Sequence, residues 1–140
     1  MKEQNKIAVL GGGSWATAIV KILSENLDTI GWYMRNEQAI DHIIENEHNP
    51  NYLQSAELNA KQLDLSSNIS EIVANYEILI FAIPSVFLTS ELKKLNTSIK
   101  DKIIFSAIKG IVPETGLIIG EHFHKVFNIP FENIGVITGP

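Results

Sequence analysis

The chain has 140 residues, enough for one domain with a hydrophobic core but few for a complete two-domain enzyme. Hydrophobic residues make up 45% and charged residues 19%, which is typical of a globular chain and excludes an intrinsically disordered one. The net charge of −5 at pH 7, with no basic stripe, argues against nucleic acid as a partner, and the absence of cysteine excludes disulfides, thiolate metal sites and cysteine nucleophiles.

The N-terminal sequence predicts no signal peptide, since Met1–Asn5 leads directly into a strand-like run. The longest apolar run, from Ile78 to Leu88, is too short to span a bilayer and contains Pro84. We therefore expect a cytoplasmic chain with no membrane segment.

Apolar strand-like runs alternate with amphipathic helix-like stretches, which is typical of a parallel sheet covered by helices on both faces. The predicted strands are Ile7–Leu10, Thr29–Met34, Ile78–Ile83, Lys102–Phe105 and Ile134–Thr138. The predicted helices are Ser14–Asn26, Glu37–Glu47, Ile69–Asn75, Val86–Leu95 and Glu114–Phe127. Residues 49–64 should form a loop with a short strand near its end. The predicted fold class is α/β, a Rossmann-like doubly wound, mostly parallel sheet in a single domain.

The first strand runs straight into a glycine turn, Gly11-Gly12-Gly13-Ser14-Trp15-Ala16, that opens the first helix. This is the G-x-G-x-x-A form of the dinucleotide fingerprint, in the context that its mechanism needs. Gly11 should allow the tight turn, Gly13 should let a pyrophosphate approach the backbone, and Ala16 should keep helix and strand close. The helix N-terminus then offers unpaired N–H groups and the positive end of its dipole to the phosphates.

Two asparagines are predicted to begin helices. Asn36 is a candidate N-cap for the second helix. Asn68, followed three residues later by Glu71, resembles a capping box for the third.

The second strand ends in Trp32-Tyr33-Met34-Arg35-Asn36, where an NAD-specific site usually carries an acid for the ribose 2′-hydroxyl. Here the position carries Arg35, a cation that suits a 2′-phosphate and can also stack on adenine. Arg35 therefore favours NADPH, and the alternative interpretation is a solvated residue at a strand end. Glu37 is close enough to leave NADH open.

The next predicted strand ends at Pro84-Ser85-Val86-Phe87, a turn that should face the cofactor. Proline there costs no ladder hydrogen bond, and Ser85 can cap the following helix. Phe87 has two interpretations, packing on the nicotinamide side of a cofactor or belonging to the hydrophobic core. Its spacing alone favours the core.

Two further strand ends carry candidate residues. The strand Lys102–Phe105 continues to Lys109-Gly110, where an ammonium group could reach both the nicotinamide carboxamide and an anionic substrate. A solvent-exposed loop lysine is the equally weighted alternative. The last strand ends at Thr138, so Gly139 follows it at the carboxyl edge, where open α/β sheets bind ligands.

Four histidines are the residues to test for a metal site: His42, His48, His122 and His124. His122 and His124 lie two residues apart on a predicted helix and so point to different faces. Because no carboxylate cluster completes a ligand set, we expect no metal site.

Taken in order, these segments resemble the N-terminal domain of bacterial-type NAD(P)-dependent glycerol-3-phosphate dehydrogenase over essentially the whole chain. The tryptophan after Gly-x-Gly-Ser and the late Lys-Gly pair are the most telling marks. The matching segments are Gly11–Ala18, Trp32–Arg35, Asn49–Leu53, Ile83–Ser85, Lys109–Ile111, Glu114–Gly116 and Thr138–Pro140.

The resemblance implies reversible hydride transfer between NADPH or NADH and dihydroxyacetone phosphate, giving sn-glycerol 3-phosphate for phospholipid synthesis. It implies cofactor contacts from a set that comprises Gly11, Gly13, Ser14, Trp15, Ala16, Arg35, Tyr52, Phe87 and Lys109. Within that set, Ser14 and Trp15 would lie on the phosphates, Arg35 at the adenosine end and Phe87 near the nicotinamide. Lys109 and Gly139 would contact the substrate. Ala16 stands where the family often has glycine, a departure that tightens helix packing.

The resemblance also implies a second, helical domain, which does not follow within these 140 residues. In the family that domain carries the general acid/base lysine and the residues that hold the substrate phosphate. Because ketone reduction needs a proton donor as well as a hydride, we expect this chain to bind cofactor but to hold no catalytic residue and to be inactive alone. A missing C-terminal domain should leave an exposed apolar patch, through which a homo-oligomer could form.

Two other functions compete with this one. A stand-alone dinucleotide-binding sensor without catalysis would have no need of a substrate-facing Lys109 or of the Thr-Gly-Pro ending at Gly139. A two-domain dehydrogenase of a hydroxy acid is the third interpretation, against which the run from Trp15 to Tyr52 and Lys109 argues.

Overall fold

The computed structural model describes residues 6–137. Its strands are β1 (Ile7–Leu10), β2 (Ile30–Tyr33), β3 (Leu63–Ser66), β4 (Ile78–Phe81), β5 (Ile103–Ser106) and β6 (Ile134–Val136). Its α-helices are α1 (Ser14–Leu23), α2 (Glu37–Asn46), α3 (Ile69–Asn75), α4 (Ser85–Leu92) and α5 (Ile119–Phe127). The strands pair in parallel in the order β3-β2-β1-β4-β5-β6. This is the doubly wound Rossmann arrangement that the alternation of runs predicted.

The predicted elements are present, most of them with shifted ends, and one helix start is wrong. The helix predicted from Glu114 begins only at Ile119. A small turn occupies the intervening residues, because Gly116 adopts a φ of 69° and the Val112 N–H donates to the Leu117 carbonyl at 2.8 Å. The predicted end of the last strand, Thr138, lies outside the described residues.

Asparagine side chains begin two of the helices, as predicted. The Asn36 carboxamide accepts the Ala39 N–H at 3.1 Å, and the Asn68 carboxamide accepts the Ser70 N–H at 3.1 Å. The capping box is incomplete, since the carboxylate of Glu71 accepts from the hydroxyl of Ser66 at 3.3 Å rather than from the N–H of Asn68.

The predicted cap at Ser85 is wrong. Pro84 occupies the N-cap of α4 with a φ of −53°, and no side chain caps this helix. Ser85 is therefore the first residue of the helix, one position after the N-cap, where its hydroxyl cannot act as the cap.

The sheet separates two apolar cores. Under α3, α4 and α5, the rings of Phe81 and Phe123 lie 4.9 Å apart. Under α1 and α2, Ala16 and Trp32 are fully buried. The positions of the helices therefore follow from apolar burial on both faces of the sheet.

One face of β5 remains uncovered in the described chain. Along this strand buried and exposed residues alternate, and Ile103 and Phe105 keep 39% and 36% of their surface exposed. The Phe105 ring lies over Gly135 of β6, where an added Cβ would come within 2.6 Å of it. β5 and the neighbouring edge strand β6 thus present an apolar surface to solvent.

No helix within residues 6–137 has the length and the apolar character needed to cross a membrane.

The buried His122 predicts a pH dependence of stability. Burial lowers the pKa of His122 below its usual 6.5, an effect that the charge of Glu114 partly opposes. Protonation is then easier in the unfolded chain, so His122 costs no stability above pH 6.5 and costs progressively more as the pH falls from there towards its lowered native pKa. We expect the free energy of unfolding to fall as the pH is lowered below 6.5, and to fall less in His122→Gln.

Urea unfolding at a series of pH values measures this slope. His124→Gln, on the same helix, is the matched control and should keep the part of the slope that His122 contributes. Equal slopes in the wild type and in His122→Gln would contradict the prediction.

Candidate functional site

A cavity of about 280 Å³ opens at the carboxyl ends of β1 and β4, where the strand order doubles back. The glycine turn after β1 forms its floor. One wall is the end of β2 with the start of α2, another is α4, and Asn51 and Tyr52 close it from the loop after α2. Five of the predicted cofactor residues line this cavity, namely Gly11, Gly13, Arg35, Tyr52 and Phe87.

The structure contradicts the core interpretation of Phe87. Its side chain keeps 43% of its surface exposed and lines the cavity, whereas its neighbour Leu88 is fully buried. The Arg35 guanidinium carbon lies 5.2 Å from the centre of the Phe87 ring, within the range of a cation–π contact. Arg35 and Phe87, which were expected at the adenosine end and the nicotinamide end of a cofactor, are therefore in contact.

The remaining predicted residues lie beside the cavity or outside the described chain. Ser14 and Trp15 are exposed in the first turn of α1, and Ala16 is buried beneath them. Lys109 is exposed in the turn after β5. Gly139 lies outside the described residues.

The fold itself requires a glycine at position 11. Gly11 has a φ of 133°, and a Cβ there would stand 2.4 Å from the backbone oxygen of Ala82. The turn is also held from β2, since the Gly11 N–H donates to the Tyr33 carbonyl at 2.9 Å and the Trp32 indole donates to the Gly11 carbonyl at 2.6 Å. No larger residue fits between β1 and β4 at this point.

Gly13 is not required by the protein. Its φ of −87° suits any residue, and a Cβ there would meet no atom within 4 Å. Gly13 is also the N-cap of α1, which has no side-chain cap and no acidic residue in its first turn. The open space and the uncapped N–H groups both fit an anion bound at the start of this helix.

Asn49 joins the glycine turn to the loop that carries Tyr52. Its buried amide donates to the Gly12 carbonyl at 3.3 Å and to the Thr17 hydroxyl at 3.0 Å. Its oxygen accepts the N–H groups of Asn51 and Tyr52 at 2.9 and 3.3 Å. Sequence reasoning marked this segment as part of the resemblance but assigned no role to Asn49, because nothing in its spacing reveals a bond to a residue 37 positions away.

A second link that sequence reasoning missed joins Tyr33 at the end of β2 to Glu91 on α4. The Tyr33 hydroxyl donates to the Glu91 carboxylate, and both residues line the cavity. Burial, together with the hydrogen bond to Glu91, raises the pKa of Tyr33 above its usual range. Tyr33 therefore keeps its proton at physiological pH and acts only as a donor to the carboxylate.

The four histidines fall into two unrelated places. His42 and His48 approach each other beside the cavity loop, with their Nε2 atoms 3.3 Å apart. On α5, His122 is buried while His124 stacks on Phe131 with ring centres 3.8 Å apart. Among residues 6–137, no three or more side chains of the metal-binding types are grouped so that they could hold an ion.

Asn49→Ala should destabilise the chain, because it leaves the Gly12 carbonyl and the Thr17 hydroxyl without this partner. We expect the free energy of unfolding to fall by about 1–3 kcal/mol. Chemical denaturation measures this change. Asn59→Ala, which removes an exposed cap on a short turn, is the matched control and should cost less; equal losses would contradict the importance assigned to Asn49.

Comparison with known proteins places the chain in a family. The profile of the family described as NAD-dependent glycerol-3-phosphate dehydrogenase N-terminus matches residues 6–140. Glycerol-3-phosphate dehydrogenase [NAD(P)+] of Pseudomonas aeruginosa is 33% identical over 140 residues, which are 100% of this chain and 40% of that protein. The enzyme of the same name from Clostridium botulinum is 34% identical over 139 residues, 97% of this chain and 40% of that protein.

Solved structures agree on the fold. Glycerol-3-phosphate dehydrogenase of Plasmodium falciparum superposes with a TM-score of 0.81 at 23% identity, covering 96% of this chain and 40% of that one. The enzyme of Coxiella burnetii gives a TM-score of 0.78 at 20% identity, covering 98% and 41%. The chain thus spans about 40% of the length of the curated relatives it matches. Because the family profile extends from β1 to the last residue, the chain belongs to the family of NAD-dependent glycerol-3-phosphate dehydrogenase N-terminal domains.

Proposed function

We propose that this chain is the cofactor-binding part of an oxidoreductase that reversibly reduces dihydroxyacetone phosphate to sn-glycerol 3-phosphate for glycerophospholipid synthesis, with NADPH or NADH. Gly13 is the observation that carries the proposal. No steric constraint within the protein requires a glycine at this position. The residue nevertheless lies at an uncapped helix start beside a cavity. The names of the matched relatives supply the reaction and the substrate class.

The places of the residues in and beside the cavity support the roles proposed for them. Gly13, with Ser14 and Trp15 in the first turn of α1, would hold the pyrophosphate, and Arg35 would hold the adenosine end. The contact between Phe87 and Arg35 favours the adenosine end for Phe87 as well, and the expected nicotinamide contact of Phe87 stays a prediction. When bound, the cofactor supplies the hydride.

Substrate contacts belong to Lys109 and Gly139 in this proposal. Lys109 supports it by position, since Gly110 beside it lies against α4, with the Ser85 hydroxyl 4.0 Å from where a Cβ of Gly110 would stand. That arrangement brings the turn after β5 to the same edge of the sheet as the cavity.

A second, helical domain would complete the enzyme and supply the general acid/base group. The length of the relatives supports this, and so does the uncovered apolar face of β5, which gives such a domain a surface to pack on. The same face argues against the stand-alone sensor. The cytoplasmic location and a homo-oligomer stay predictions.

The 140-residue chain should bind NADPH and NADH, with the fluorescence of Trp15 and Trp32 together and calorimetry as the measurements. Gly13→Ala should weaken both by roughly tenfold or more, because its Cβ enters the space of the phosphates. Arg35→Ala should weaken NADPH by roughly tenfold and NADH by less, because it removes the cation that suits the 2′-phosphate.

Gly13→Ala carries its own control, since alanine suits this backbone and should lower the thermal midpoint only by the small cost of alanine at an N-cap, not by unfolding the chain. Failure of the wild-type chain to bind either cofactor, or full binding by Gly13→Ala, would count against the proposed site.

The chain alone should not turn over dihydroxyacetone phosphate, because in this proposal the general acid/base group belongs to the second domain. A spectrophotometric assay of NADPH and NADH oxidation with this substrate tests the point. Cofactor-dependent turnover above the background of heat-denatured chain would refute the division of the site between two domains.

A further inference from the structure

One face of α4 looks into the cavity. Pro84, Phe87 and Glu91 line it, at the spacing that places residues on one side of a helix. Leu88 and Leu92 lie on the adjoining face of the helix, in the hydrophobic core. Glu91 is thus a charged residue on a wall that is otherwise apolar.

The carboxylate of Glu91 is buried, with only 4% of the residue exposed. It accepts from the Tyr33 hydroxyl, and its other oxygen lies 2.9 Å from the ammonium group of Lys94. A carboxylate can accept about four hydrogen bonds, so these two leave acceptor capacity. Because Glu91 lines the cavity, a donor bound there is placed to reach the carboxylate.

Around the same part of the cavity lie an aromatic ring and a cation, Phe87 and Arg35. An aromatic ring and a guanidinium plane suit the faces of a flat base, and a buried carboxylate suits a donor at its edge. We propose that Glu91 accepts a hydrogen bond from the adenosine moiety of the dinucleotide and so selects the cofactor by its donors. This inference rests on the proposed function, because it takes the occupant of the cavity to be a dinucleotide.

The adenosine moiety has three donors, but the 3′-hydroxyl of its ribose is common to NADH, its hypoxanthine analogue and NADPH and cannot select among them. The two donors that can select are the exocyclic amine of adenine and the 2′-hydroxyl of its ribose. The amine is missing in the reduced hypoxanthine analogue of NADH. The 2′-hydroxyl is replaced by a phosphate in NADPH, whose charge a carboxylate repels. A comparison of the affinities for the three cofactors therefore distinguishes between these two donors.

The test is calorimetric titration of the 140-residue chain with NADH, its hypoxanthine analogue and NADPH. Glu91→Gln removes the charge and keeps an acceptor for Tyr33, and Glu114→Gln, exposed and bonded to Thr89 of the same helix, is the charge-matched control. A second variant, Tyr33→Phe with Glu91→Leu, removes both polar partners together and leaves no orphaned hydroxyl.

If adenine is the donor, the wild type should favour NADH over the hypoxanthine analogue by roughly tenfold, and the variants at Glu91 should bring this ratio towards one. If the ribose is the donor, the variants should instead shift the NADPH-to-NADH affinity ratio several-fold towards NADPH. Glu114→Gln should change neither ratio.

A merely structural Glu91 would lower the thermal midpoint in these variants and leave both ratios unchanged, and that result overturns the inference. If the wild-type chain binds none of the three cofactors, the proposed function itself fails, which distinguishes the two failures.

Discussion

The amide of Asn49 is the link on which the cavity depends. It is buried, and its four hydrogen bonds reach the glycine turn, helix α1 and the loop before Tyr52. Thr17, which it engages, donates in turn to the Gly13 carbonyl at 2.7 Å. With the carbonyls of Gly12 and Gly13 taken up on this side, the N–H groups of the same trans peptides point the opposite way. One side chain thereby orients the turn and positions the loop that closes the cavity.

The two outer glycines of the turn have different causes, which separates folding from binding within one motif. Gly11 sits where the backbones of β1 and β4 meet, and only glycine fits against Ala82. Gly13 faces open space in an ordinary conformation. The same residue type therefore serves the fold at one position and a ligand at the other, and the pattern of letters alone does not reveal this division.

Local features of the sequence predicted local features of the fold. The alternation of runs is enough for the doubly wound sheet, and the caps at Asn36 and Asn68 act within three residues of themselves. The predicted helix start at Glu114 is wrong because Gly116 adopts a positive φ, which interrupts the helical pattern. The core interpretation of Phe87 is wrong because the face of α4 on which a residue lies depends on where that helix begins. Links such as Tyr33 to Glu91, 58 residues apart, need the folded chain to be seen.

That last link changes how the end of β2 should be interpreted. In many dinucleotide folds the residue after this strand decides between a ribose hydroxyl and a 2′-phosphate. Here the cation of Arg35 follows β2, while a carboxylate reaches the same cavity from α4, held by the Tyr33 hydroxyl of β2 itself. The charge around the cavity therefore comes from two side chains of opposite sign, Arg35 after β2 and Glu91 on α4. A preference for one cofactor must follow from their balance, and Arg35 alone does not decide it.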